Sequence, residues 1–232
     1  EITTRLVGSE MCLRDRAERG GKRVLVLERR NHVGGNAYDC FDEAGVLIHQ
    51  YGPHIFHTNS TRVFDYLSRF TRWRPYEHQV VANLPDGDGR LEYPVPFNLV
   101  SLRAAFPPEK ARALAEKLVS AYGMEKKVTM LELRQNPDPE LSALADYVYG
   151  HVFVRYTMKQ WGTTPEQIDP NTTARVPVFL SRDCRYFQDA YQGMPLSGYT
   201  PLFQQMLEHP NVEVRLNVDA SDLLDLRGNE IL

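Results

Sequence analysis

The sequence predicts an α/β fold interrupted by a helical insertion, on three observations. The run Arg23–Glu28 (RVLVLE) is short, apolar and β-branched, the pattern of a strand buried in a parallel sheet. Near the other end Val212–Val218 (VEVRLNV) alternates apolar and polar, as a strand with one buried face does. Between them, apolar residues recur at helical spacing after two proline-marked starts, Pro107-Pro108 and Asp138-Pro139. A sheet that begins early, gives way to helices and resumes late indicates an inserted domain.

The elements follow in order. The first strand ends in an acid, Glu28, and a polar turn with Gly34-Gly35 comes after it. Val46–Gln50 (VLIHQ) reads as a second strand. Asn59 and Ser60 cap a helix over Arg62–Thr71 that sets Val63, Leu67 and Phe70 on one face. His78–Leu84 and Arg90–Tyr93 flank Pro85-Asp86-Gly87-Asp88-Gly89, whose glycines supply the positive φ of a hairpin turn. The helix from Pro107-Pro108 carries Ala111, Leu114, Leu118 and Tyr122 and stops at Gly123. The next, capped at Asp138, carries Leu141, Leu144, Ala145, Val148 and Val152. Arg175–Tyr191 is aromatic and strand-like, and Thr200–His209 reads as a helix.

Charge narrows the partners. With 27 Lys+Arg against 30 Asp+Glu, the chain has no bulk attraction for nucleic acid or anionic lipid, so an anionic ligand must be held by particular arginines. No apolar run reaches the roughly 18 residues of a bilayer span, and no signal-peptide pattern opens the chain. Cys12, Cys40 and Cys184 are too few and too scattered for a disulfide framework or a paired-cysteine zinc site. The expectation is a cytoplasmic protein with no nucleic-acid partner and no membrane insertion.

A dinucleotide-binding turn needs glycines where backbone approaches pyrophosphate, and an acid ending the second strand for a ribose hydroxyl. Glu28 suits the second role. Gly8 and Ser9 look like the start of the turn, but a G-x-G-x-x-G frame from Gly8 puts Glu10 and Leu13 at glycine positions, so a plain loop and surface helix competes. In Asn31–Asp39 (NHVGGNAYD), two glycines and an asparagine just past the acid-ended strand can run backbone amides beside a flat cofactor; the alternative is a tight turn. His54 and His57 lack the further ligands a metal requires, so no metal site is expected. Trp161 offers either a helix-end cap or a flat stacking face, and Arg175 either a solvent-exposed loop charge or a fork for a diphosphate.

LERRNHVGGNAYD and YGPHIFHTN (Tyr51–Asn59) are followed by PVPFNL (Pro94–Leu99), RYTMKQWG (Arg155–Gly162), RVPV (Arg175–Val178), YF at Tyr186 and YQGMPLSGYT (Tyr191–Thr200). In order and spacing, from about Val24 to Val218, these segments resemble the bacterial UDP-galactopyranose mutase family. The resemblance implies an α/β fold with a Rossmann-like FAD-binding domain, incomplete, at 1–75 and 201–232. It also implies an antiparallel β-sheet domain at 76–100 and 166–200, and an inserted helical domain at 101–165. The implied activity interconverts UDP-galactopyranose and UDP-galactofuranose through a reduced-flavin N5–sugar adduct, with FAD as cofactor and a homodimer as the assembly. Cofactor contacts then fall on Gly8, Ser9, Glu28, Arg29, Gly34, Gly35, Asn36, Ala37, His54, Ile55 and the main chain of Val218. Substrate contacts fall on His78, Asn98, Phe153, Tyr156, Thr157, Trp161, Arg175, Tyr186 and Tyr191. Arg175, against the diphosphate, and His54, beside the flavin ring, are the catalytic pair. Gly8–Gly21 departs from the family's glycine-rich turn, with Met11–Arg16 foreign to it, and the family's second active-site arginine would lie past Leu232; the expectation for this chain alone is an inactive fragment. Two rival readings are a flavin amine-oxidase-like oxidoreductase and a flavin-free UDP-sugar-binding module.

Overall fold

The structure, a computed structural model, describes residues 10–86, 89–153, 162 and 177–222. The chain divides into two compact units, Glu1–Tyr76 with Asp189–Leu232, and Glu77–Gln188. Elements are numbered along the whole chain.

In the first unit, helix α1 (Glu10–Gly20) leads into β1 (Val24–Glu28), which runs parallel to β11 (Val212–Leu216) from Val24↔Val212 to Glu28↔Leu216. Both strands lie where hydrophobic pattern predicts them. Buried Ala17 of α1 packs with Val24, and Val26 and Val212 complete that small core. Arg14, from the stretch read as foreign, is built into the fold. Its Nη1 donates to the carbonyls of Gln205 (2.9 Å), Met206 (3.1 Å) and Glu208 (2.8 Å) at the carboxyl end of helix α7 (Tyr199–Leu207), where carbonyls otherwise lack partners.

The strand expected at Val46–Gln50 is β3 (Leu47–His49), paired antiparallel with β2 (Asp39–Phe41), a strand too short to carry a periodic signal. β10 (Tyr191–Pro195) sits between β4 (Phe56–Thr58) and β5 (Trp73–Pro75) in a three-stranded antiparallel sheet. Helix α2 (Thr61–Leu67) starts at its predicted Ser60 cap but ends four residues before Thr71. There the Ser68 hydroxyl donates to Phe64 O (2.6 Å), and Arg69 and Phe70 amides bond three residues back, tightening the chain out of the α-helix. Phe70 thus reaches the core of Ala37, Tyr199, Leu202 and Met206 from a turn.

In the second unit, β6 (Val80–Asp86) and β7 (Gly89–Val95) form the expected hairpin, its tip at 87–88 outside the described residues. Helix α3 (Leu99–Ala105) is set by a capping box of Asn98 and Ser101. Helix α4 (Pro108–Tyr122) begins at its proline and ends at Gly123, whose φ of 87° suits glycine. Short β8 (Lys127–Val128) and α5 (Met130–Arg134) precede α6 (Pro139–Val148), which passes into one π-helical turn, Tyr149–Phe153. Leu102, Leu118, Leu133 and Leu141 form the centre of one core with Tyr93, Phe97 and Leu180.

The strand-like reading of Arg175–Tyr191 is corrected. Of its described residues before β10, only β9 (Val178–Phe179) is a strand, paired with β8. Beyond it Asp183 folds its carboxylate onto the Arg185 amide (3.0 Å) and guanidinium (2.7 Å), and local bonds of this kind compete with a ladder.

Three carboxylates of this unit titrate low. Asp138 is held down by the Lys117 ammonium, Glu132 by the Thr129 amide and hydroxyl, and Asp183 by the Arg185 guanidinium. Because each folded-state pKa lies below the ordinary value, the unfolded chain takes up these protons first. Their stabilisation is therefore complete at neutral pH and is lost as pH falls through the ordinary carboxylate range toward the depressed values. Thermal melts are expected to show a falling midpoint below about pH 4.5, the ordinary carboxylate range; a flat profile down to pH 3 would contradict this.

Candidate functional site

In the first unit Glu28 and Val218 meet at the carboxyl ends of β1 and β11, where ligands of open α/β sheets sit. The Val218 amide donates to Glu28 O (3.1 Å), and the amide of Asn217, at φ 56°, donates to Arg30 O (3.0 Å). Two residues 190 apart in sequence, both assigned to the cofactor by resemblance, are thereby neighbours. Glu28 Oε1 accepts from the Arg30 amide (2.8 Å), which fixes the carboxylate at the strand end.

Arg29 is exposed, whereas Arg30, which sequence reasoning passed over, turns inward. Its Nη2 donates to Asn36 Oδ1 (2.8 Å), its guanidinium lies 4.6 Å from the centre of the Tyr51 ring, and Nη1 is buried with no hydrogen-bond partner. His32, also unforeseen, is 8% exposed. Its Nδ1 contacts Val33 O (3.0 Å), an acceptor only, so Nδ1 carries the proton. In the neutral ring Nε2 then accepts from Tyr51 Oη (2.8 Å), and the ring stacks on Tyr38 at 3.7 Å. No local pattern announces a pair nineteen residues apart.

Gly34 (φ 87°) and Gly35 (φ 55°) open the short 3₁₀ turn Gly35–Ala37. A Cβ on Gly34 would lie 2.9 Å from the Phe203 ring of α7, so the glycine is required by packing as well as by backbone. Buried Asp39 accepts from the amides of Tyr199 (2.5 Å) and Thr200 (2.7 Å) at the start of α7. His54 donates its amide to His49 Nδ1 (3.1 Å), its ring Nδ1 meets Gly52 O (3.0 Å), and Ile55 beside it is half-buried. On β10, Tyr191 stacks on Phe64 at 4.3 Å and its hydroxyl meets Thr61 Oγ1 (3.1 Å).

The second unit brings His78 and Tyr186 together. The Tyr186 amide donates to His78 O (2.7 Å), and their rings meet edge to face at 5.8 Å beside Phe187. Arg185 is committed to Asp183 and Glu77, whose carboxylates hold its pKa up. Asn98, expected as a substrate contact, has a structural role. It is fully buried and caps α3, with Oδ1 accepting from the amides of Val100 (2.8 Å) and Ser101 (3.0 Å). Its Nδ2 donates to Asp183 O (3.0 Å).

Phe153 closes the π-helical turn, a deformation of the helix frequently found at functional sites. Gly8, Ser9, Tyr156, Thr157, Trp161 and Arg175 lie outside the described residues. Among the described residues no group of three His, Cys, Asp or Glu is placed to hold a metal ion, and no helix is long and apolar enough to cross a membrane.

Comparison with known proteins places these residues in context. A family model described as UDP-galactopyranose mutase matches residues 151–231, which include Phe153, Tyr156, Thr157, Trp161, Arg175, Tyr186, Tyr191 and Val218. A second, described as an NAD(P)-binding Rossmann-like domain, matches residues 11–70. The chain is 37% identical over 214 residues to a UDP-galactopyranose mutase of Mycoplasma pneumoniae, covering 91% of this chain and 53% of that protein. It is 34% identical over 195 residues to a dTDP-fucopyranose mutase of Escherichia coli, covering 84% and 50%. A probable UDP-galactopyranose mutase of Klebsiella pneumoniae is 33% identical over 201 residues, covering 84% and 50%. The chain spans about half the length of the curated relatives it matches.

Proposed function

We propose that this chain, which belongs to the UDP-galactopyranose mutase family, supplies the flavin- and uridine-binding residues of an isomerase that interconverts UDP-galactopyranose and UDP-galactofuranose with reduced FAD, and that the chain by itself turns over little or no substrate. The observation that carries the cofactor reading is the adjacency of Glu28 and Val218 at the carboxyl ends of a parallel strand pair. The residues present fit a flavin dinucleotide: a carboxylate for ribose hydroxyls, a glycine turn for close backbone approach, and a buried Arg30 nitrogen that lacks an acceptor. When bound and reduced, FAD supplies the nucleophile for the anomeric carbon.

The protein's work is then positioning and charge neutralisation. Glu28 and the Gly34–Ala37 turn hold the dinucleotide, joined by Gly8, Ser9, Arg29 and the Val218 main chain. His54, with its ring bonded to Gly52 O, and Ile55 line the flavin edge. Trp161 stacks on uracil with Tyr156, Thr157 and Phe153 around it, and Arg175 pairs with the diphosphate and stabilises its charge as the UDP leaving group departs. His78, Tyr186 and Tyr191 contact phosphate or sugar, while Asn98 supports the Asp183–Tyr186 stretch from below. We further assign the protein to the cytoplasm, in keeping with the unpaired thiols of Cys40 and Cys184, and to a homodimer.

The test is the visible spectrum of the purified chain after incubation with FAD and gel filtration, followed by titration with UDP and dTDP. Retained flavin bands and tighter binding of UDP than dTDP are expected. Stacking on a base is worth about 1–3 kcal/mol by alanine substitution, so Trp161→Ala is expected to weaken UDP by about ten-fold or more. A colourless protein that binds neither nucleotide would overturn the proposal. Net oxidation of substrate without isomerisation would favour the oxidoreductase reading, and UDP binding in flavin-free protein the binding-module reading.

A further inference from the structure

We infer that Asp189 is a positioning residue, its carboxylate locking the segment His54–Asn59 to the strand that carries Tyr191. The inference rests on the flavin and substrate roles proposed for those two segments, and it comes from how their ladder ends. β4 and β10 pair through Gly193↔Phe56, Gln192↔His57 and Tyr191↔Thr58. The next rung would join residues 190 and 59, and there side chains replace backbone.

The Ala190 amide donates to Asn59 Oδ1 (2.9 Å), and Asn59 Nδ2 donates back to Asp189 Oδ1 (2.7 Å). The other carboxylate oxygen, Oδ2, meets His57 Nδ1 (2.9 Å), and the Asp189 carbonyl accepts from Gln192 Nε2 (3.0 Å). One carboxylate therefore grips two residues of the flavin-side segment, three and five positions after His54. It sits two positions before Tyr191, whose ring lies on Phe64 and whose hydroxyl meets Thr61, contacts that depend on where the strand end is held. None of the sequence motifs singles out Asp189, because its partners are some 130 residues away.

The side chains of His57 and Asp189 are 38% and 22% exposed, a setting in which an ion pair adds little to stability. A purely structural role would accordingly leave almost no trace, whereas a positioning role shows in ligand affinity and in the aromatic stack. Asp189→Asn separates geometry from charge: its carbonyl oxygen still accepts from Asn59, and its amide donates to His57 Nδ1 in the other tautomer.

The experiment compares wild type, Asp189→Ala, Asp189→Asn and Asn59→Ala by FAD titration on flavin fluorescence, near-ultraviolet circular dichroism and thermal melting. Because the tie positions the segment that carries His54, its loss is expected to weaken FAD binding about ten-fold in Asp189→Ala and Asn59→Ala, with a midpoint nearly unchanged. Asp189→Asn is expected to bind within about three-fold of wild type, since both contacts survive. Unchanged affinity in Asp189→Ala, or Asp189→Asn as weak as Asp189→Ala, overturns the inference. If wild type takes up no FAD, the flavin reading fails on its own, and the dichroism of the stack in which Phe64 lies between Tyr191 (4.3 Å) and Trp73 (5.8 Å) decides: a signal lost in Asp189→Ala and restored in Asp189→Asn supports positioning, and an unaltered one refutes it.

Discussion

Replacing Asp39 by alanine will destabilise the first unit by about 3 kcal/mol and lower its melting midpoint by about 10 °C, the largest effect expected from any single polar side chain there. Asp39 is 2% exposed and accepts two amides from the first turn of α7, while its own backbone exchanges bonds with the Thr200 hydroxyl, N to Oγ1 at 3.1 Å and Oγ1 to O at 2.7 Å. Those amides have no intrahelical partners, so removing the carboxylate leaves donors buried and unsatisfied, and a favourable charge at the helix start is lost as well. Asp39→Asn keeps one acceptor and should fall between. Gly198→Ala tests the same contact from the other side, because a Cβ there would come 2.7 Å from Asp39 Oδ2 at a φ of 97°. Differential scanning calorimetry checks all three. A midpoint within 2 °C of wild type for Asp39→Ala would refute the anchoring role.

Asn98→Ala is expected to be nearly as damaging in the second unit, by about 2–3 kcal/mol, through loss of a buried cap and of the bond to Asp183 O. Asn98→Asp should not rescue it: the carboxylate still caps α3 but cannot donate to Asp183 O, and a charge is placed where the residue is 0% exposed. This prediction separates two roles. A capping residue lowers the melting midpoint and leaves UDP affinity intact in the fraction that is folded; a substrate contact does the reverse. Chemical denaturation and UDP titration on the same sample give the answer.

Long regular elements were legible because their signals are local. The apolar run of β1, the alternation of β11, the turn chemistry between β6 and β7, and the capped periodic helices α4 and α6 all lie where pattern and propensity put them. Short elements were not. β2, β4 and β5 have three residues each and α5 has five, too few for any period to show, and they exist because neighbours supply the missing hydrogen bonds. The Arg175–Tyr191 stretch misled for a related reason: aromatic and β-branched residues favour strands, but the Asp183–Arg185 pair and the Tyr186 bond to His78 O draw the backbone into irregular structure.

The site divides along the same line. Motif order carried the family resemblance, and the candidates Glu28, Gly34, Gly35, His54 and Tyr191 stand in short contiguous segments whose residue types are legible without any partner. Only tertiary structure decided that Arg30 rather than Arg29 turns inward, that Asn98 caps a helix, that Asp39 anchors α7, and that Asp189 ties His57 to the Tyr191 strand. Each depends on partners that chain connectivity leaves free. A hydrogen bond between residues 39 and 199 or 57 and 189 writes no period and no spacing into the sequence, and it becomes visible once tertiary packing has brought the two segments within 3 Å.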